Sequence, residues 1–118
     1  MKPTEIGRMG EDLAVAFLQT KGFIILARNY RFGKAEIDII AQKQNRLSVV
    51  EVKWRSRADY GLPQSFVTPK KQRLLISAAN HFVQTKNLDV EVSLDIISIL
   101  RAKNKHIIEF IKNAYYFF

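Results

Sequence analysis

The chain has 118 residues, no cysteine and no apolar run near the ~20 residues of a membrane helix, which excludes disulfides, thiolate metal sites, Cys nucleophiles and a helical membrane span. Its 47% hydrophobic content fits one folded domain with a modest core, and the absence of a signal-like start makes a cytoplasmic location the expectation. Nineteen Lys and Arg against 11 Asp and Glu give a formal charge of +8, so a polyanion is the natural partner, nucleic acid before an anionic membrane surface.

From Thr4 to about Lys21, Ile6, Leu13, Ala14, Phe17 and Leu18 recur at helical spacing, and Gly22 stands where a helix stop belongs. Gly7, Glu11, Ala14 and Leu18 share one ridge of this helix. Glu11 therefore borders the buried stripe, and small Gly7 and Gly10 allow close approach to a sheet. "FIILARNYRF" reads as a strand rich in β-branched and aromatic residues, and Gly33 ends it. "AEIDIIAQ" and "RLSVVEVKWR" flank the polar turn "KQN" and read as a hairpin. "SRADYGLPQS" has neither period and contains Gly61 and Pro63, so it is expected to be a loop that turns Arg55, Arg57 and Tyr60 outward.

Thr68 and Pro69 mark the start of a second helix, with Leu74, Leu75, Ala78, Ala79, Phe82 and Val83 as its apolar stripe. "VEVSLDIISIL" is apolar on nearly both faces from Leu94, as a central strand should be, and "HIIEFI" adds an edge strand before the aromatic tail Tyr115 to Phe118. The order α-β-β-β-α-β with a seventh element implies an α/β sandwich around a mixed sheet.

The hairpin carries the chemistry. Side-chain alternation places Ile37, Ile39 and Ala41 with Val50, Val52 and Trp54 on an apolar face, leaving Glu36, Asp38, Glu51 and Lys53 on the other. A turn centred on Gln44 and Asn45 pairs residues whose numbers sum to 89, which sets Asp38 opposite Glu51 and Glu36 opposite Lys53. Facing Cβ atoms lie about 4.5 to 5.5 Å apart, so the two carboxylates repel. Either one acid takes up a proton, or a hard cation settles between them, or Lys53 alone serves as counterion.

Other residues have two readings each. Glu11 is a partly buried acid near the sheet or a Glu favoured by the helix dipole. Lys70, Lys71 and Arg73 crowd the helix end where the macrodipole disfavours cations, which suits a docking phosphate or a solvated basic surface. Lys71 shares a ridge with Leu75 and Ala78 and is the more constrained. Asp95, inside an apolar strand, requires an Arg or a backbone donor and reads as structural. His81 and His106 have no second His at ligand spacing and read as surface residues.

Asp38 followed by Glu51-Val52-Lys53 on the next strand resembles the PD-(D/E)xK motif of restriction-endonuclease-like nucleases, with Ile37-Asp38 in place of Pro-Asp. The blocks "GRMGEDLA", "RNYRFGKAEIDIIA", "VVEVKWR" and "VTPKKQRLLISAA", in order from Gly7 to about Ile97, together resemble the YraN family, which is similar to archaeal Holliday-junction resolvases. The resemblance implies a restriction-endonuclease-like α-β-β-β-α-β core and a Mg²⁺- or Mn²⁺-dependent endonuclease acting on DNA, with branched, junction or flap forms as substrate. It implies catalytic roles for Glu11, Asp38, Glu51 and Lys53. Asp38, Glu51 and the Val52 carbonyl would hold the metal, with Glu11 bound directly or through water. DNA would be held by Lys70, Lys71, Arg73, Arg55 and Arg57. Symmetric cutting of a junction requires a homodimer. The rival reading is a non-catalytic nucleic-acid-binding module using the same basic face. Two positions depart from the family pattern: Ala35 stands where Gly usually precedes "EID", and Ser93 stands where an Arg often precedes the strand Asp, here Asp95.

Overall fold

Several element boundaries fall on residues whose backbone chemistry imposes them. α1, Pro3–Thr20, ends where Gly22 takes a left-handed φ of 90°, and β1, Ile24–Phe32, turns into β2, Ala35–Lys43, through Gly33 at φ 59°. Gln44, at φ 54°, lies in the tight link to β3, Arg46–Arg55. α2, Pro69–Lys86, starts with Thr68 as cap, its Oγ1 accepting from the Lys71 N–H at 3.1 Å, and closes on left-handed Asn87. β4, Glu91–Ala102, and β5, Lys105–Ile111, complete the order expected from the sequence. This computed structural model describes residues 3–55 and 67–114; the expected loop with Arg57 and Tyr60, and the tail from Tyr115, lie outside the described residues.

The five strands form one mixed sheet in the order β1-β2-β3-β4-β5, antiparallel except for the parallel β3–β4 pair that α2 bridges. Burial divides between its two faces. Leu75, Ala78, Ala79 and Phe82 of α2 pack on Ile40, Leu47, Val49, Leu94 and Ile96, while Ala14 and Leu18 of α1 pack on Ile39, Ala41, Val50, Ile97 and Ile99. β4 therefore feeds both cores, as a strand with apolar residues on both faces requires. Each buried Leu, Ile, Val or Phe among them contributes roughly 1.5–3 kcal/mol, which supports the sheet beneath the polar residues at its surface.

The observed β2–β3 register keeps the predicted sum, with Ile39 opposite Val50 and Lys43 opposite Arg46. Two expectations fail beyond it. The ladder stops at Ile39–Val50, so Asp38 and Glu51 are not directly paired in it. Ile37 also leaves the predicted face: it joins the core under α2, whereas Ile39 and Ala41 join the core under α1. The interruption coincides with Asn29 of β1, which falls between the Arg28–Ile39 and Tyr30–Ile37 pairs and adopts a left-handed φ of 52°. Glu36 consequently pairs with Arg31, its ladder partner, at 3.6 Å rather than with Lys53.

Candidate functional site

The place where β2 and β3 part is where the acids collect. In place of a ladder bond, the Val52 N–H donates to Asp38 Oδ2 at 2.8 Å, which ties the two strands through a side chain and leaves the carboxylate beside Glu51. Glu51 is 6% exposed. Its Oε1 receives Lys71 Nζ at 2.7 Å and lies 3.6 Å from Lys53 Nζ. Its Oε2 is buried and, among the described residues, has no hydrogen-bond partner. Asp38, Glu51, Lys34, Lys70, Lys71 and Leu74 line an open cleft of about 390 Å³.

Burial is the main reason the Asp38 carboxyl is pushed up to about 7, and the charge of Glu51 adds to it. The Val52 N–H and Lys71 pull the other way, while Glu11 adds a smaller upward push. The predicted repulsion between the two acids is thus present even though the ladder does not set them face to face. Near neutral pH Asp38 is therefore divided between its protonated and its charged form.

The donor set suits a hard divalent cation in its chemistry. It offers carboxylate oxygens, one of them buried and unpartnered, and no soft ligand. The set is small, however: among the described residues no group of three or more His, Cys, Asp or Glu is placed to hold a metal ion. A cation there would rest on two carboxylates and complete its shell with water and phosphate oxygens, a mode that Mg²⁺ commonly adopts.

Glu11 approaches from α1 but turns toward β1. Arg28 Nη2 lies 3.7 Å from Glu11 Oε1 and donates to Asp12 Oδ1 at 2.7 Å, so Arg28 anchors the helix acids. No feature of the sequence pattern pointed to Arg28. The close approach of α1 belongs to Gly10 alone of the two expected glycines. A Cβ on Gly10 would fall 2.4 Å from Trp54 Nε1, whereas one on Gly7 would meet nothing within 4 Å. Trp54 Nε1 donates to the Ile6 carbonyl at 2.9 Å, which locks α1 against the strand residue that follows Lys53.

Of the expected phosphate-binding residues, Lys71 is drawn in to Glu51, while Lys70 and Arg73 remain exposed at the start of α2. Arg55 ends β3 opposite Leu100, and Arg57 lies outside the described residues. Lys34, which sequence reasoning did not single out, reaches the cleft from the β1–β2 turn.

Asp95 has the structural surroundings its position required. It is fully buried, accepts from Ser48 Oγ, from Ser93 Oγ at 2.9 Å and from the Asn113 N–H at 2.8 Å, and lies 3.6 Å from Arg46. Ser93, one of the two departures from the family pattern, thus supports this acid itself. Ala35, the other, begins β2 and is buried in the α2-side core. His106 is exposed at the edge, whereas His81 is half-buried: its Nδ1 and the Tyr30 hydroxyl share a hydrogen bond of 2.5 Å, and its ring stacks on Phe32.

Among the described residues no helix is long and apolar enough to cross a membrane. The chain is 50% identical over 114 residues to a UPF0102 protein of Flavobacterium psychrophilum, covering 97% of this chain and 96% of that one. It is 41% identical over 111 residues to one of Bacteroides fragilis, covering 94% and 92%, and 41% identical over 118 residues to one of Dictyoglomus turgidum, covering 98% and 100%. Residues 10–99 match Uncharacterised protein family UPF0102, and a match across most of the length, with relatives this similar end to end, makes the chain a member of that family, the YraN family of the PD-(D/E)xK-like superfamily.

Proposed function

We propose that the protein is a cytoplasmic, Mg²⁺- or Mn²⁺-dependent endonuclease that hydrolyses phosphodiester bonds in DNA, with branched, junction or flap forms as its substrates. The observation that carries the reading is the Asp38–Glu51 pair: a half-buried and a buried acid brought together, one oxygen unpartnered among the described residues, with two ammonium groups beside them. A salt-bridge surface has no need of the unpartnered oxygen, whereas a cation would use it.

Asp38, Glu51 and the Val52 carbonyl would hold the cation, with Glu11 acting through water. A divalent ion bound there supplies Lewis acidity toward a phosphoryl oxygen and acidifies a neighbouring water. Lys53, beside Glu51, would stabilise the charge that builds on the phosphoryl oxygens as the water oxygen bonds to phosphorus and the bond to the leaving sugar oxygen breaks. Lys71 orients Glu51 through its 2.7 Å contact. Lys70, Arg73, Arg55 and Arg57 would meet backbone phosphates, reading shape rather than sequence. Cutting both strands of a junction symmetrically would take two copies of the site, hence a homodimer.

The test is a panel of labelled duplex, flap, single-stranded and four-way DNA incubated with Mg²⁺, Mn²⁺ or EDTA. Wild type is expected to cut in a metal-dependent way, and Lys53→Ala to lose at least about 100-fold in rate. A second reading draws on Lys71, which lies close enough to neutralise Glu51 without any cation: a non-catalytic DNA-binding module. Under that reading Asp38→Ala tightens binding, EDTA changes nothing and no lane shows a cut.

A further inference from the structure

Next to the cleft that holds the acids stands an aromatic ledge. Phe32, the last residue of β1, pairs in the sheet with Ala35, which lines the cleft. One face of its ring stacks on His81 of α2, with centroids 4.0 Å apart and planes within 18°. His81 is itself fixed, because its Nδ1 is bonded to the Tyr30 hydroxyl and the Tyr30 ring packs edge-on against Phe82 at 5.2 Å. The stack is therefore backed by the core and does not depend on a loose side chain. Phe32 is still 38% exposed, a large apolar ring left in water.

Its position relative to the cations gives that exposure a meaning. Lys70, Leu74 and His81 follow one ridge of α2, and His81 lies two turns beyond Leu74, about 10 Å along the axis. Lys34 enters the cleft from the turn that follows Phe32. A chain of phosphates crossing Lys70 and Lys34 toward the acids would pass beside the open edge of the ledge. A paired base buries its faces in the duplex stack, whereas an unpaired base has a free face for an aromatic side chain.

We propose that Phe32, held by His81, stacks an unpaired base of the strand bound in the cleft, which makes DNA with a single-stranded arm the preferred ligand over continuous duplex. This rests on the nuclease reading only for where the bound strand runs. His81 and Tyr30 are positioning residues here, and Phe32 is the contact.

The experiment measures binding by the full chain in EDTA, so that nothing is cut. The probes are a flap carrying 2-aminopurine in its single-stranded arm and a fully paired duplex of the same length. Wild type is expected to favour the flap and quench the 2-aminopurine. Phe32→Ala should lose about 5- to 50-fold in flap affinity and the quenching with it, while Phe32→Trp keeps both. An unchanged flap affinity in Phe32→Ala overturns the proposal, as does an equal loss on duplex and flap, or a concentration-dependent dimer in wild type that disappears in Phe32→Ala. Cleavage with Mg²⁺, run in parallel, separates the two readings. Metal-dependent cutting without a Phe32 effect sinks only the ledge, and a Phe32 effect without cutting sinks only the nuclease. Failure of wild type to bind either probe sinks the ledge, and sinks the nuclease as well if Mg²⁺ brings no cutting.

Discussion

Asp95 and Asp38 are both acids inside the same sheet, yet they are treated in opposite ways. Asp95 has donors on both oxygens, from two serine hydroxyls and a backbone N–H, with the Arg46 guanidinium nearby. Among the described residues Asp38 has a single backbone N–H donor and a second acid beside it, and that second acid keeps a bare buried oxygen. A sheet that satisfies one carboxylate so fully can satisfy another, so the shortage at Asp38 and Glu51 belongs to the site. Buried charge serves structure where its partners are internal and binding where they are missing.

The sharpest way to break this contrast is to remove the acid that is fully supported. Asp95→Ala strands the Ser48 and Ser93 hydroxyls, the Asn113 N–H and Arg46, and should destabilise the fold by about 3–5 kcal/mol in a urea titration. A smaller loss, about 1–3 kcal/mol, is expected of Gly10→Ala, whose new methyl group must displace the Trp54 indole; near-ultraviolet circular dichroism of that indole should change with it.

Asp38→Asn should do the reverse of Asp95→Ala, raising the stability of the metal-free protein by on the order of 1 kcal/mol, because the amide still accepts from Val52 and removes the repulsion. The pH dependence follows the same logic. The Asp38 carboxyl is raised from 3.8 to about 7 in the folded chain, so between those values the native state binds the extra proton. Metal-free wild type should therefore lose stability as pH rises through that window. Asp38→Asn should flatten the slope, and millimolar Mg²⁺ at pH 8 should restore the loss in wild type. A slope unchanged in Asp38→Asn would place the titrating group elsewhere. The smallest effect is expected of Glu11→Gln, which weakens only the 3.7 Å contact with Arg28 and one minor upward push on Asp38; its melting temperature should move by no more than a degree or two.

The hairpin register was legible because a two-residue turn and two apolar runs leave one solution. Thr68, Pro69 and the stripe on α2 were legible for similarly local reasons, as was the need of Asp95 for partners. The parting of β2 from β3 was not. It arises from a side chain taking a ladder amide and from the left-handed Asn29 on a third strand, and neither has a periodic signature. The turn of Glu11 toward Arg28 and the backing of Phe32 by His81 depend likewise on elements that meet only in the folded chain.

The parallel union of β3 with β4 has a consequence for synthesis. The acids of the hairpin meet by a short local closure, while Glu51 gains its neighbour Ile96 only after α2 has been made and laid across the sheet. A chain still leaving the ribosome thus carries both carboxylates before it has the strand that holds one of them in register, and the acid pair is fixed late, when the whole sheet is in place.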